Sequence, residues 1–267
     1  MAGGFHKLER IVSLEVTYKT HGYVSVHTGL GDSVHDNLVI REGGEDSRPI
    51  IPGSSIKGVV RSLVESILAQ AGKQICVPFP CSPTERRAGR IEHIPIAPRL
   101  TPCDWRNAQP CHACQLFGNT QQRSRVTFHD AKTILSAEEV TTLTRRHVAI
   151  DREKGTQFGG ALMAVEAVPG DELEFVSLVT LINPDPWMVG AVRETLPLLR
   201  HAGVGARKSR GYGDLIVTPG AVKFVLHPAN DLRTEAVYQE ECIQRWQAER
   251  ATVTLGSPER SVSTSGS

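Results

Sequence analysis

The sequence predicts an α+β chain with a ferredoxin-like, RRM-type core, a zinc-bearing insertion and a long projecting hairpin. Three observations carry this. Apolar residues alternate as in strands at 10–27, 126–131, 172–182 and 214–217, and recur at helical spacing after 54 and again from 188. The resulting order is strand, helix, strand, strand, helix, strand, the split β-α-β arrangement. Five of the six cysteines fall between 76 and 114, inside a proline-rich stretch with little periodicity.

The first strand alternates through Ile11, Ser13, Val16 and Tyr18, then Tyr23, Val24 and Val26. Residues 29–44 are polar and turn-rich around Leu38, Val39 and Ile40. A helix follows, with Ser54 or Ser55 as its cap, a stripe of Val60, Leu63, Val64, Ile67 and Leu68, and Gly72 as its stop. After the cysteine-rich insertion comes a short strand. The hairpin is predicted over 144–166, rich in glycine and polar residues. A clear strand at 172–182 leads to a helix through Met188, Val189, Val192, Leu196 and Leu199, which Pro197 should kink or shorten and Gly203 should stop. A strand at 214–217 and a helix within 229–250, with Leu232, Tyr238, Cys242 and Trp246 partly in register, complete the order. Residues 1–250 are expected to form one domain carrying the insertion (76–118) and the hairpin (144–166). The Ser- and Gly-rich end, 251–267, is expected to be a disordered tail.

Composition bounds the partners. The formal net charge of the 267-residue chain is +1, with 40% hydrophobic and 22% charged residues. A chain coated in non-specific polyanion-binding charge would be more basic, so any such contact comes from local clusters at 85–90, 123–125 and 207–210. Neither a signal peptide nor a membrane span is legible, so the expected compartment is the cytoplasm, with no membrane partner. Disulfides are rare there, and the cysteines are better explained by a metal.

Cys103 and the Cys111-x-x-Cys114 knuckle have the spacing of a structural zinc site. The fourth ligand is open on spacing alone. Cys81 is the first choice, with Cys76, His93 and His112 as competitors; unmetallated thiols or a redox pair at Cys111 and Cys114 are the alternatives. A stretch unable to build a core gains order from such an ion. A site closed by four thiolates leaves no position for substrate.

Two glycine-basic segments, 51–61 and 203–213, have the makeup of anion-binding loops. Glycine admits close backbone approach, Ser54 and Ser55 donate hydrogen bonds, and Lys57, Arg61, Arg207, Lys208 and Arg210 supply charge. The first opens a helix, whose free N–H groups and positive end favour phosphate. One such loop is common; two bracketing an α+β core suggest a phosphate-rich polymer. Lys57 and Arg61, four residues apart, also fit an ordinary solvated helix face.

These pieces, in this order, resemble the RAMP superfamily, and more narrowly its backbone subunits of type III CRISPR effector complexes, the Csm-three-like group. The resemblance covers the chain to about residue 225. His27-Thr28-Gly29 with Gly31-Asp32 resembles the family's post-strand loop, and 35–41 its acidic catalytic loop. Residues 51–61 resemble its entry to the first helix, and Cys103 through Gly118 its zinc-bearing insertion. Ala149-Ile150-Asp151-Arg152 resembles its thumb hairpin, and 207–213 its glycine-rich loop. The resemblance implies an RNA-guided endoribonuclease subunit, active in the assembled complex. Several copies of it, or of related backbone subunits, would line a CRISPR RNA guide beside other type III effector subunits. Complementary target RNA is cut opposite each thumb, with Arg152 among the RNA contacts. It also implies that Asp36 supports cleavage with a divalent cation such as Mg2+, with Asp32 and His35 near enough to contribute. As a turn residue, Asp36 would instead bond its own backbone. Three other readings stay open: a non-catalytic scaffold of the same complex, a guide-processing endoribonuclease, and a zinc-stabilised enzyme for a small phosphorylated ligand.

Overall fold

The computed structural model describes residues 7–43, 48–76, 103, 110–170 and 173–251. Within them, strand β1 (Ile11–Thr20) alternates as predicted: Val12, Leu14, Val16 and Tyr18 are buried while Glu15 faces solvent. It lies between β7 (Glu174–Ile182) and β8 (Leu215–Leu226), antiparallel to both, with Leu14 opposite Val179 and Val222. Beyond β7 come β4 (Ala131–Thr133) and β2 (Ile50–Ile51), giving the order β2-β4-β7-β1-β8; β3 (Val126–Phe128) also pairs with β7.

The single strand expected at 126–131 is broken at His129-Asp130, and the break positions the first helix. Helix α1 (Gly53–Gln70) starts against the end of β3, where a Cβ on Gly53 would lie 2.1 Å from the Phe128 carbonyl oxygen. The Asp130 carboxylate accepts from the Gly53 N–H at 2.8 Å. This corrects the expected cap: Pro52 occupies the N-cap with no side-chain bond, and Ser54 and Ser55 stand inside the first turn. The acceptor comes from a strand far along the chain, which leaves both hydroxyls for other partners.

Helix α2 (His112–Phe117) carries the cysteine knuckle and packs on α1. Helix α3 (Pro186–Thr195) gives way to a 3₁₀ turn, Leu196–Leu198, at Pro197, where the missing N–H and the ring disfavour further α-helix. A short helix α4 (Leu199–Ala202) then ends at Gly203 with φ 70°. Helix α5 (Glu235–Glu249) buries Tyr238, Cys242 and Trp246 against α3 so closely that a Cβ on Gly190 would lie 2.1 Å from the Cys242 carbonyl oxygen. Leu232 precedes this helix and is 91% exposed, so it does not join the apolar stripe expected of it. Together α1, α3 and α5 share one core with the sheet residues Leu14, Val179 and Val222. Among the described residues no helix is long and apolar enough to cross a membrane.

Strands β5 (Leu143–Ile150) and β6 (Gln157–Ala167) form a two-stranded sheet of their own, closed by a turn in which Asp151 N–H donates to the Thr156 carbonyl at 2.8 Å. Its outer half exposes Val148, Ile150, Phe158 and Leu162.

Candidate functional site

Cys76, Cys103, Cys111 and Cys114 are all buried, and their sulfurs lie within 4.8 Å of one another. Cys76 Sγ is 3.2 Å from Cys114 Sγ, and Cys111 Sγ is 3.7 Å from Cys76 Sγ. Cys103 Sγ accepts from the Cys111 N–H at 3.3 Å, and Cys114 Sγ accepts from the Asn119 amide at 3.5 Å, the outer bonds a thiolate site uses. The Cys114 thiol, donating to Cys111, holds Cys111 well below the ordinary thiol range, while that bond and burial push Cys114 far up. Four thiolates so close cannot coexist without a cation, and this set fits a closed tetrahedral site able to hold a metal such as zinc. Among the described residues the fourth thiol is Cys76 rather than the expected Cys81, which lies outside them, as does His93. Cys76 follows the end of α1 by six residues, and Lys73 is pinned to Glu249 of α5 at 2.7 Å. The rigid helix exit thus delivers Cys76 to the knuckle. His112 faces away, to Glu249 at 3.2 Å and to the Trp187 ring.

The two glycine-basic segments meet. Ser54, Ser55 and Gly58 of α1 line one cavity with His27, Gly205 and Lys208. The glycine-rich loop is held against residues 23–27 by backbone bonds, Ala206 N–H to Ser25 O at 3.0 Å and Gly213 N–H to Tyr23 O at 2.7 Å. A Cβ on Gly205 would lie 2.5 Å from Ser25 O, and Gly205 has φ 92°. No other residue type fits that approach. Lys208 and Arg210 are exposed on a 3₁₀ turn. Arg207 sits at φ 56° and reaches back to His27 Nε2 at 3.4 Å and to Met163 Sδ. Burial, then the Arg207 charge, hold His27 below its ordinary range.

Lys57 and Arg61 turn away from this cavity. Lys57 Nζ donates to Ser124 Oγ at 2.9 Å, and Arg61 donates to the Gly118 carbonyl at 3.0 Å while pairing with Glu65 at 2.7 Å. Burial, with the nearby Arg61 charge, lowers the Lys57 pKa. Both cations tie α1 to the segment that follows the knuckle. Arg152 is exposed at the turn of the β5–β6 hairpin.

The 27–41 loop lies along the hairpin base. Asp36 N–H donates to Ala164 O at 2.9 Å, and the Ala164 N–H donates to Asp36 Oδ2 at 2.7 Å. Asp36 Oδ1 takes no part in these two bonds. Asp36, His147, Met163 and Arg210 line a common cavity of about 370 Å³. Asp32 is a turn residue: its Oδ1 accepts from the Val34 and His35 N–H groups, and these bonds, His35 first, lower its pKa to about 2. His35 spans from Asp32 to Thr144 Oγ1 at 2.6 Å and so fastens the loop to β5. Behind them Arg41, Thr142 and the Val39 N–H all bond the buried Glu166 carboxylate. Burial acts to raise its pKa, and these donors outweigh it.

A loop carrying an aspartate, a metal-competent knuckle and a glycine-rich loop thus follow one another along the chain. The RAMP superfamily family model matches residues 25–215, most of the chain. The chain belongs to the RAMP superfamily. It is also similar to the CRISPR system Cms endoribonuclease Csm3 of Methanocaldococcus jannaschii, 28% identical over 192 residues, or 67% of this chain and 66% of that relative. The chain thus spans about two thirds of the length of the relative it matches. The match takes in the Asp36 loop, the cysteine knuckle and both glycine-basic segments, while β1 and α5 lie outside it. Two residues of this site carried no sequence signal. His147 is one histidine in a polar strand, and Tyr212 is one aromatic among glycines; only the fold brings them together, at 2.9 Å.

Proposed function

We propose that this chain is a guide-RNA-binding backbone subunit of a type III CRISPR effector complex, and that it cleaves complementary target RNA through Asp36. The observation that carries the reading is convergence. The α1 start and the glycine-rich loop line one cavity, the Asp36 loop, the β5–β6 hairpin and Arg210 line a second, and Arg207 reaches both His27 of the first and Met163 of the second. The sheet order, with β1 between β7 and β8, supports a ferredoxin-like core, and the separate two-stranded sheet supports a thumb. The name of the Methanocaldococcus relative, a CRISPR endoribonuclease, supports the activity.

In this reading guide phosphates lie in the cavity between Ser54, Ser55 and Lys208, with Arg207 and Arg210 at its edge. These groups carry charge and small donors and suit the backbone of an RNA, leaving sequence to base pairing. The hairpin, with Arg152 at its turn and an apolar outer half, reaches the guide–target duplex. Asp36 Oδ1 accepts a proton or approaches a divalent cation such as Mg2+ at the target strand. The buried thiols hold structural zinc. Neighbouring copies, related backbone subunits and other type III subunits share the guide, in the cytoplasm.

Charge reversal tests the guide surface. Lys208→Glu leaves the core untouched, because its side chain is exposed. It is expected to weaken retention of the co-purifying guide on the order of 10-fold and to reduce the salt slope of RNA binding by about one. Lys57→Glu is expected to act instead on stability, since Lys57 is bonded to Ser124. Filter binding across a salt series checks the first, and thermal melting of the purified chain checks the second. Retention that ignores salt, or is unchanged in Lys208→Glu, counts against this surface.

A further inference from the structure

The cleavage cavity holds a second titratable group besides the carboxylate. His147 lies on β5 directly opposite Met163 of β6, one residue from Ala164, whose N–H holds Asp36. Both side chains line the same cavity, with Arg210 beside them. His147 Nε2 is 2.9 Å from the Tyr212 hydroxyl, and the two rings are tilted with centroids 5.6 Å apart. Arg145, on the same strand as His147, stands over the Tyr23 ring at 4.2 Å and near Tyr212 at 5.8 Å. The imidazole is therefore fixed on two sides, by the loop that would bind the guide and by the strand that would meet the target.

We propose that His147 is the second catalytic group of this site, the one that takes the proton from the attacking hydroxyl of the target RNA. This rests on the reading of the chain as a target-cleaving subunit. In the tautomer that donates from Nε2 to Tyr212, Nδ1 carries the free lone pair. The 2′-hydroxyl O–H bond breaks and its proton goes to that nitrogen. The 2′-oxygen–phosphorus bond forms and the phosphorus–5′-oxygen bond breaks. The 5′-oxygen takes a proton from solvent, leaving a 2′,3′-cyclic phosphate and a 5′-hydroxyl. Arg210 faces the phosphate, and Asp36 holds the opposite wall.

A base must be neutral before it acts. The groups around His147 are Arg145 from its own strand, Arg207, Arg210 and Tyr212 from the glycine-rich loop, and Asp36 from the 27–41 loop. Burial first, then the charges of Arg210, Arg207 and Arg145, hold the His147 pKa below its ordinary value. At neutral pH the ring is unprotonated and able to accept, and the positive surroundings are offset when an anionic phosphate enters.

The test uses the assembled complex with a labelled complementary RNA. His147→Asn retains a side-chain amide able to bond Tyr212 but cannot exchange a proton; His147→Ala opens space for added imidazole. Both are expected to cut on the order of 100-fold more slowly with target binding unchanged. The wild-type rate is expected to fall only below the ordinary histidine range, and that acidic limb should vanish in His147→Asn. Free imidazole should restore part of the rate to His147→Ala. Full-rate cutting by His147→Asn with the wild-type pH profile, while Asp36→Ala is inactive, overturns the proposal alone. Full-rate cutting by Asp36→Ala overturns the reading on which it rests.

Discussion

Asp36→Ala in the assembled complex is expected to slow target cutting by roughly 1,000-fold or more, with guide and target binding nearly intact. The carboxylate lies in an exposed loop, so its removal leaves the core unchanged. What it does lose is one acceptor for the Ala164 N–H, a bond worth about 1 kcal/mol. Asp36→Asn separates the two roles. Its amide oxygen still accepts from Ala164 and keeps the loop in place, but it carries no charge and takes no proton. If Asp36 acts in the transition state, Asn and Ala are equally inactive. If Asp36 only positions the loop, Asn restores cutting and Ala does not. Cutting should also stop in chelator and return with Mg2+. Undiminished cutting by both variants would make the chain a scaffold whose target is cut elsewhere.

Loss of the thiol centre is expected to have the largest effect on stability. Cys114 is fully buried, its sulfur is 3.2 Å from Cys76, and α2 carrying it packs on α1. Elemental analysis of the purified chain should give zinc near one per chain. Cys114→Ser should lose the ion and lower the melting temperature on the order of 10 °C, as expected when a few kcal/mol are lost from a domain of this size. Because Lys57, Arg61, His112 and Lys73 join this segment to α1 and α5, the damage should spread to the end of α1, where hydrogen exchange would report it. A chain free of zinc that melts unchanged in chelator would show that the thiols pack without an ion.

The elements were legible where one period ruled the residues. The alternation of β1 and β7, the stripe of α1 and the break at Pro197 all depend on near neighbours in sequence. What failed to show depends on tertiary placement. Lys57 and Arg61 sit off the apolar stripe, as surface cations do, and nothing nearby in sequence says that Ser124 and Gly118 will meet them. The cap of α1 was sought in its own serines, but Asp130 supplies it across a strand break. Spacing does not single out Cys76; the exit of α1 brings it to the knuckle, and Cys81 lies outside the described residues. The 27–41 loop has no period at all. Its shape comes from Asp32, His35 and Arg41 bonding within the loop and to the hairpin base, so only resemblance points to Asp36, and nothing in the sequence points to its neighbour His147.

The central claim is that this surface holds a guide. Sequencing the RNA that co-purifies with the full chain from its native cells tests it most directly. The account predicts short RNAs of one narrow length class, sharing a common end and differing elsewhere, and lost together in Lys208→Glu. No RNA, or a heterogeneous sample of abundant cellular transcripts, would contradict it.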